Sequence, residues 1–243
     1  MYYLFSNVMY SLYILILLST MTPTISTSTA IVVYSPDAAP FARFRETTQR
    51  VTVGDGATTV TLEQDWSNHG VAGVLWDSAT VLIEYLLRKE SNIDLKNKSI
   101  LELGAGLGLP SISISLISSP LRVVATEQTI GMDLLQRNVK VNEATVEIVE
   151  LDWSNPLSSS ISNDNFDIIL GADLVYKEEA FQPLIQTLGT LTRNNTVIYF
   201  ASRIRYAKDR RFYRNLAETG FRVEKLLYDQ ATDVYVYKME ISK

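Results

Sequence analysis

The sequence has no cysteine and a single histidine, His69. These absences exclude a disulfide framework, a zinc centre built from thiolates and imidazoles, a thiol nucleophile and a histidine-based triad. Any chemistry must come from carboxylates, hydroxyls, backbone amides or a bound cofactor. Surplus positive charge is also missing: 22 Lys plus Arg stand against 27 Asp plus Glu, a net charge of −5 over 243 residues. No bulk field exists to gather nucleic acid, so no nucleic-acid partner is expected. With 47% hydrophobic and 20% charged residues, the chain has the composition of a globular domain.

Charge of either sign is missing from residues 1–36, within which residues 8–18 (VMYSLYILILL) are almost wholly apolar. Residues 19–30 (STMTPTISTSTA) then read as a linker and include Met21, an alternative start. Three readings of residues 1–36 stand side by side: a secretory signal, a short membrane anchor, and a dispensable extension. The basic flank that usually precedes a signal is absent. A membrane contact is expected only if the apolar segment is retained as an anchor. Residues 37–243 are assigned to the functional domain.

Regular patterning begins past residue 45. Residues 49–53 and 58–62 alternate as strands around Gly54-Asp55-Gly56, which predicts a small hairpin. Residues 71–88 carry apolar positions at helical spacing and predict one amphipathic helix. Strands are then expected over 99–103, 122–126, 145–151, 166–172, 196–202 and 222–227, with helices near 109–117, 130–141, 178–191 and 209–219. This alternation predicts an α/β fold with an open, mostly parallel sheet covered on both faces. A final strand at 234–239 follows 222–227 through a short polar loop, so that pair is expected to be antiparallel.

The strongest chemical signal is Ser99-Ile-Leu-Glu-Leu-Gly-Ala-Gly-Leu-Gly-Leu-Pro110. An apolar run enters a loop with Gly104, Gly106 and Gly108, and a helix opens with Pro110 in its first turn, where a missing N–H costs little. Such a loop brings backbone close to a nucleotide-like ligand. Its spacing is G-x-G-x-G, with Leu109 where the dinucleotide pattern G-x-G-x-x-G needs glycine, and Glu102 stands two residues before the first glycine. A carboxylate there repels a pyrophosphate but suits a cationic amino-acid group, which favours S-adenosylmethionine. Glu127 ends the next strand, where a carboxylate can accept from both ribose hydroxyls. Asp152 and Trp153 follow the third strand, offering an acceptor for an adenine amino group and an indole to pack on the purine.

Gly171-Ala172-Asp173-Leu-Val-Tyr176 closes the fourth strand, and the fold would set Asp173 and Tyr176 at the same sheet edge as the glycine loop. The alternative for Asp173 is a helix N-cap. The segment is neither Asn-Pro-Pro-Tyr nor Asp-Pro-Pro-Tyr, which argues against methylation of a base amine or a glutamine amide.

Taken together, Gln64-Asp-Trp, Gly70-Val-Ala-Gly-Val-Leu-Trp76-Asp-Ser-Ala, Glu102-Leu-Gly-Ala-Gly-Leu-Gly108, Gly171-Ala-Asp-Leu-Val-Tyr176 and Ser202-Arg-Ile-Arg-Tyr206 resemble the methyltransferase-like 21 group of seven-strand protein lysine methyltransferases. The resemblance runs from about residue 40 to residue 240. It implies a Rossmann-like sheet ordered 3-2-1-4-5-7-6 with the seventh strand antiparallel, S-adenosylmethionine as methyl donor, no metal, and a lysine side chain as acceptor. It also implies roles residue by residue: Trp76, Glu102, Gly104, Gly106, Gly108, Glu127, Asp152, Trp153 and Ala172 at the cofactor, Asp173 and Tyr176 in catalysis, and Arg203, Arg205 and Tyr206 at the substrate. Asp152-Trp153 stands where close relatives read Thr-Trp, which supports Trp153 more firmly than Asp152.

The Arg-Ile-Arg-Tyr segment and the Tyr228-Asp…Asp233-Val…Tyr237 ending most resemble the group's Hsp70-type chaperone methyltransferase. An Hsp70-type substrate, a monomer and a cytoplasmic location are therefore expected. Bland readings stand beside these roles: ordinary packing for Trp76, and surface cations for Arg203 and Arg205. Rival functions are methylation of another protein residue or of a small molecule, and a non-catalytic module that keeps the cofactor fold.

Overall fold

A computed structural model describes residues 44–242. The apolar segment 8–18 and the linker-like stretch after it lie outside the described residues. Among the described residues, no single helix is long and apolar enough to cross a membrane.

The expected hairpin forms from β1 (Thr48–Val53) and β2 (Thr58–Glu63). Gly54 and Gly56 take positive φ in its turn. Residues 71–88 do not form one helix. The chain instead makes a short helix α1 (Trp66–His69), a 3₁₀ turn (Gly70–Gly73), an extended break, and then α2 (Asp77–Leu87). The break has a physical cause: buried Gln64 accepts the Leu75 N–H at 2.7 Å through Oε1 and donates through Nε2 to the Glu46 carbonyl. Trp76 is extended, and its indole N–H goes to the Val71 carbonyl.

The remaining elements alternate as the sequence predicts: β3 (Ser99–Leu103), α3 (Leu109–Ile117), β4 (Arg122–Glu127), α4 (Thr129–Val141), β5 (Glu147–Glu150), β6 (Ile168–Ala172), α5 (Phe181–Leu191), β7 (Val197–Arg203), α6 (Ala207–Glu218), β8 (Phe221–Asp229) and β9 (Val234–Ile241). The strands make one seven-stranded sheet ordered β5-β4-β3-β6-β7-β9-β8. Counted within the sheet this is 3-2-1-4-5-7-6, with β9 antiparallel to both its neighbours.

Side chains alternate across the pleat. Ile100, Val123, Ile168 and Leu170 pack with Leu82, Leu86, Ile112 and Leu135 on one face. On the other, Leu101, Leu103, Val124 and Ile169 pack with Leu184, Leu188, Phe212 and Leu216. Coverage on both faces explains why β3, β4 and β6 read as nearly continuous apolar runs. The hairpin joins the first face through one amide of α4 and one at its C-terminal cap: Asn138 Oδ1 accepts the Glu63 N–H at 2.7 Å and Asn142 Oδ1 accepts the Thr61 N–H at 2.9 Å.

Helices α3 and α4 lie on the first face, α5 and α6 on the second, so the winding reverses between β3 and β6. Those strands pair in parallel, with Leu103 opposite Gly171. Their carboxyl ends form the crevice where open α/β sheets bind ligands.

Candidate active site

The glycine loop leaves β3 with φ of +55° at Gly104, +53° at Gly106 and +83° at Gly108. Side chains rarely tolerate this region, and space is short as well. A Cβ on Gly104 would lie 2.8 Å from Leu174 and 3.2 Å from Trp153, and one on Gly108 would lie 2.6 Å from Leu135. Glu102 is buried beneath the loop. Its Oε2 accepts the Ser111 N–H at 2.9 Å and the Ser111 hydroxyl at 2.5 Å, which ties β3 to the first turn of α3. Burial pushes this carboxyl up to about 7, against the pull of the Ser111 hydrogen bonds.

Glu127 ends β4 and is also buried. Its two oxygens accept the Gly106 N–H and the Gln128 N–H, each at 2.8 Å. Burial raises its pKa, and those two bonds oppose the rise. A residue missed in the sequence makes room for it: a Cβ on Gly131 would stand 2.5 Å from the Glu127 Cγ. The available signal was a glycine four residues beyond an acid one methylene longer than aspartate.

Trp153 lies against Gly104, within 3.2 Å of where a Cβ there would stand. Asp152 is exposed and turned into its own loop, accepting the Ser154 N–H and hydroxyl at 2.9 and 2.7 Å.

Residues 64–76 form a strap across the glycine loop. A Cβ on Gly106 would meet the Ala72 carbonyl at 3.4 Å, and one on Gly131 would meet the Ala72 Cβ at 3.3 Å. The strap is pinned by His69, which bonds Asp133 of α4 at 2.8 Å and lies 3.6 Å from Asp65. Trp76 packs at its end, 5.4 Å from the Phe44 ring, which stacks on Trp66.

At the reacting edge, Asp173 follows β6 with φ +56°. The neighbouring helical turns carry no side-chain cap, so Asp173 is not an N-cap. It forms a buried two-pronged pair with Arg205, at 3.2 and 2.9 Å, both side chains less than a tenth exposed. Arg203 donates to the Thr232 carbonyl and to Asp77 at 3.0 Å, bracing α2 and the β8–β9 turn against β7. Neither arginine is a loose surface cation. Tyr176 and Tyr206 are half-buried; Lys208 donates to the Tyr176 carbonyl at 2.8 Å, and its ammonium sits 5.8 Å from the Tyr206 ring. Ala172, the last residue of β6, pairs with Ala201 beside them.

The glycine loop, Glu127, Trp153, the strap and the Asp173 turn therefore converge on one sheet edge. Among the described residues, no cluster of side chains could hold a metal ion. Two acids and a close-packed glycine cradle fit a compact cationic ligand such as S-adenosylmethionine. Glu127, Trp76 and Trp153 could hold it, while Glu102, tied to Ser111 beneath the loop, supports the cradle from below.

Protein N-lysine methyltransferase METTL21A of Mus musculus is 41% identical over 187 residues, covering 75% of this chain and 83% of that protein. EEF1A lysine methyltransferase 3 of Mus musculus is 31% identical over 176 residues, covering 71% and 73%. Among solved structures, a TehB-like SAM-dependent methyltransferase from Corynebacterium glutamicum superposes with a TM-score of 0.51 at 18% identity, over 73% of this chain and 94% of that one. Residues 55–219 match the family described as lysine methyltransferase, and the chain belongs to that family.

Proposed function

We propose that this S-adenosylmethionine-dependent protein lysine methyltransferase acts on an Hsp70-type chaperone, with Asp173 and Tyr176 at the acceptor amine and Glu102, Glu127, Trp76 and Trp153 around the cofactor. The observation that carries the site is the placement of the Asp173 turn against the glycine loop, through Leu174 and Gly104, at the switch point of the sheet. The chaperone target rests on the likeness of residues 202–206 and 228–237 to the chaperone-directed member of the group.

S-adenosylmethionine supplies an electrophilic methyl group when bound. The protein must then present a neutral amine in line with it, and positioning carries most of the acceleration. A lysine of pKa near 10.4 is mostly protonated at neutral pH, so its proton must pass to water before transfer. A carboxylate accepts about four hydrogen bonds, and Arg205 takes two of those at Asp173. The remaining capacity suits an ammonium on arrival and an amine at transfer. Arg205 fixes the carboxylate and is a positioning residue. Tyr176 offers its ring and hydroxyl at the same turn, where a ring face attracts developing methylammonium charge.

The test is methyl transfer from radiolabelled S-adenosylmethionine to purified Hsp70-type chaperone and to a whole-cell extract. A labelled chaperone band that disappears with Asp173→Ala supports the reading. Label confined to other proteins would overturn the target, and no protein label at all would favour a small-molecule acceptor. A cytoplasmic location is proposed from the resemblance alone. Asn97 and Asn194 are exposed and each heads a glycosylation sequon, so a glycan on either would refute it.

A further inference from the structure

The chain carries a net charge of −5, yet one face beside the reacting edge is basic. Residues 208–214 of α6 include Lys208, Arg210, Arg211 and Arg214, and the only acid among them, Asp209, is buried, accepting the N–H groups of Arg205 and Tyr206. Arg210, Arg211 and Arg214 are exposed. Glu178 neutralises Arg211 at 2.5 Å, whereas Arg210 and Arg214 make no ion pair among the described residues. A ladder of tyrosines continues from this helix across the sheet. Tyr213 stacks on Tyr237 at 4.0 Å, Tyr237 neighbours Tyr235 at 6.1 Å, and Tyr235 stacks on Tyr228 at 4.5 Å. Tyr228 is 45% exposed, and the Lys225 ammonium lies 5.3 Å from the Tyr235 ring. Tyr235 sits opposite Ser202, and Val234 opposite Arg203, so the ladder ends at the edge that carries Asp173.

We propose that this face, α6 with Tyr228, Tyr235 and Tyr237, docks an acidic segment of the protein substrate and delivers its lysine to Asp173. The inference rests on the protein-methyltransferase reading. Tyrosine and arginine dominate the energetic centres of protein interfaces. A lysine-bearing segment is itself positive, so an arginine face repels it unless flanking carboxylates outweigh that charge, which makes the face selective for lysines in acidic surroundings. Glu178, Glu224, Asp229 and Asp233 interrupt the basic surface. Such interruption suits discrete carboxylates on a peptide and disfavours a continuous phosphate backbone.

The test uses the full chain, the Arg210→Glu/Arg214→Glu variant, the conservative Arg210→Lys/Arg214→Lys variant, and poly-L-glutamate as probe. Poly-L-glutamate should bind the wild type in a salt-sensitive manner, compete with the protein acceptor, and fail to bind the charge-reversed protein. That protein should show a KM for the acceptor raised about tenfold at low salt, as loss of steering charges predicts, with kcat and S-adenosylmethionine affinity within about twofold; the lysine variant should retain most of the wild-type KM. An unchanged KM and salt dependence would overturn the proposal, as would tighter binding of a single-stranded oligonucleotide than of poly-L-glutamate. Should the wild type label no protein, the function reading fails, and the poly-L-glutamate titration still decides this one.

Discussion

Removing either member of the Asp173–Arg205 pair tests whether that carboxylate serves chemistry or only holds the fold. The two side chains are 7% and 6% exposed and joined by two hydrogen bonds. Deleting one partner leaves an uncompensated buried charge, at a cost of about 3 kcal/mol. For a domain of this size that is a Tm loss of about 6–12 °C. Arg205→Ala and Asp173→Ala should each show it, whereas the double variant should lose less than the two single losses combined, because no stranded charge remains. Activity should separate the two residues. With Asp173 in its proposed role at the acceptor amine, Asp173→Ala should abolish turnover while S-adenosylmethionine affinity stays within about twofold, since the carboxylate is held by Arg205 rather than by the glycine loop. Arg205→Lys keeps the charge but not the fork and should lower kcat more than it lowers cofactor affinity. Calorimetry for the cofactor, thermal melts and radiolabel transfer supply the three readouts. Parallel loss of cofactor affinity and turnover in Asp173→Ala, at temperatures where the variant is folded, would refute a role at the acceptor.

Three further outcomes follow from the buried acids and the glycines. Glu102 titrates near 7 when folded but near 4.3 in an unfolded chain. The folded state therefore holds the extra proton between those values, and stability should fall as pH rises through that window, by about 4 kcal/mol. Glu102→Gln should flatten the dependence in melts taken from pH 4.5 to 8, and an unchanged slope would refute the assignment. Gly131→Ala should displace Glu127 and weaken S-adenosylmethionine binding about tenfold in calorimetry, because its Cβ would stand 2.5 Å from the Glu127 Cγ. Gly189→Ala, in α5 with nothing within 4 Å of the added methyl, should instead stabilise by about 0.5–1 kcal/mol; matching signs in melts of the two variants would count against the packing seen around Glu127.

How much of this was readable beforehand depended on whether the deciding contact was local. β3 and α3 begin and end where the sequence predicts, because a fully apolar run, three glycines and Pro110 act within a dozen residues. The order of the strand-end acids was equally legible, since each closes its own strand. Residues 71–88 satisfied a helical period and still broke, because the deciding bond joins Leu75 to Gln64, eleven residues earlier. Periodicity registers burial and cannot register a carbonyl that captures one amide. The Asp173–Arg205 pair spans 32 residues, and nothing near either residue announces it. It becomes legible only once β6 and β7 are neighbours with Ala172 opposite Ala201. Asp173 then leaves β6 one residue past that pair, and Arg205, four residues past Ala201, reaches it with its guanidinium, which must find a carboxylate or be stranded. The two arginines of the Arg-Ile-Arg-Tyr segment diverge because Arg203 is the last residue of β7, paired with Val234, whereas Arg205 lies beyond the strand end with its N–H held by Asp209 of α6. Arg203 braces α2 through Asp77, Arg205 fixes the Asp173 carboxylate, and the charge proposed to face the substrate lies on Arg210 and Arg214 of α6.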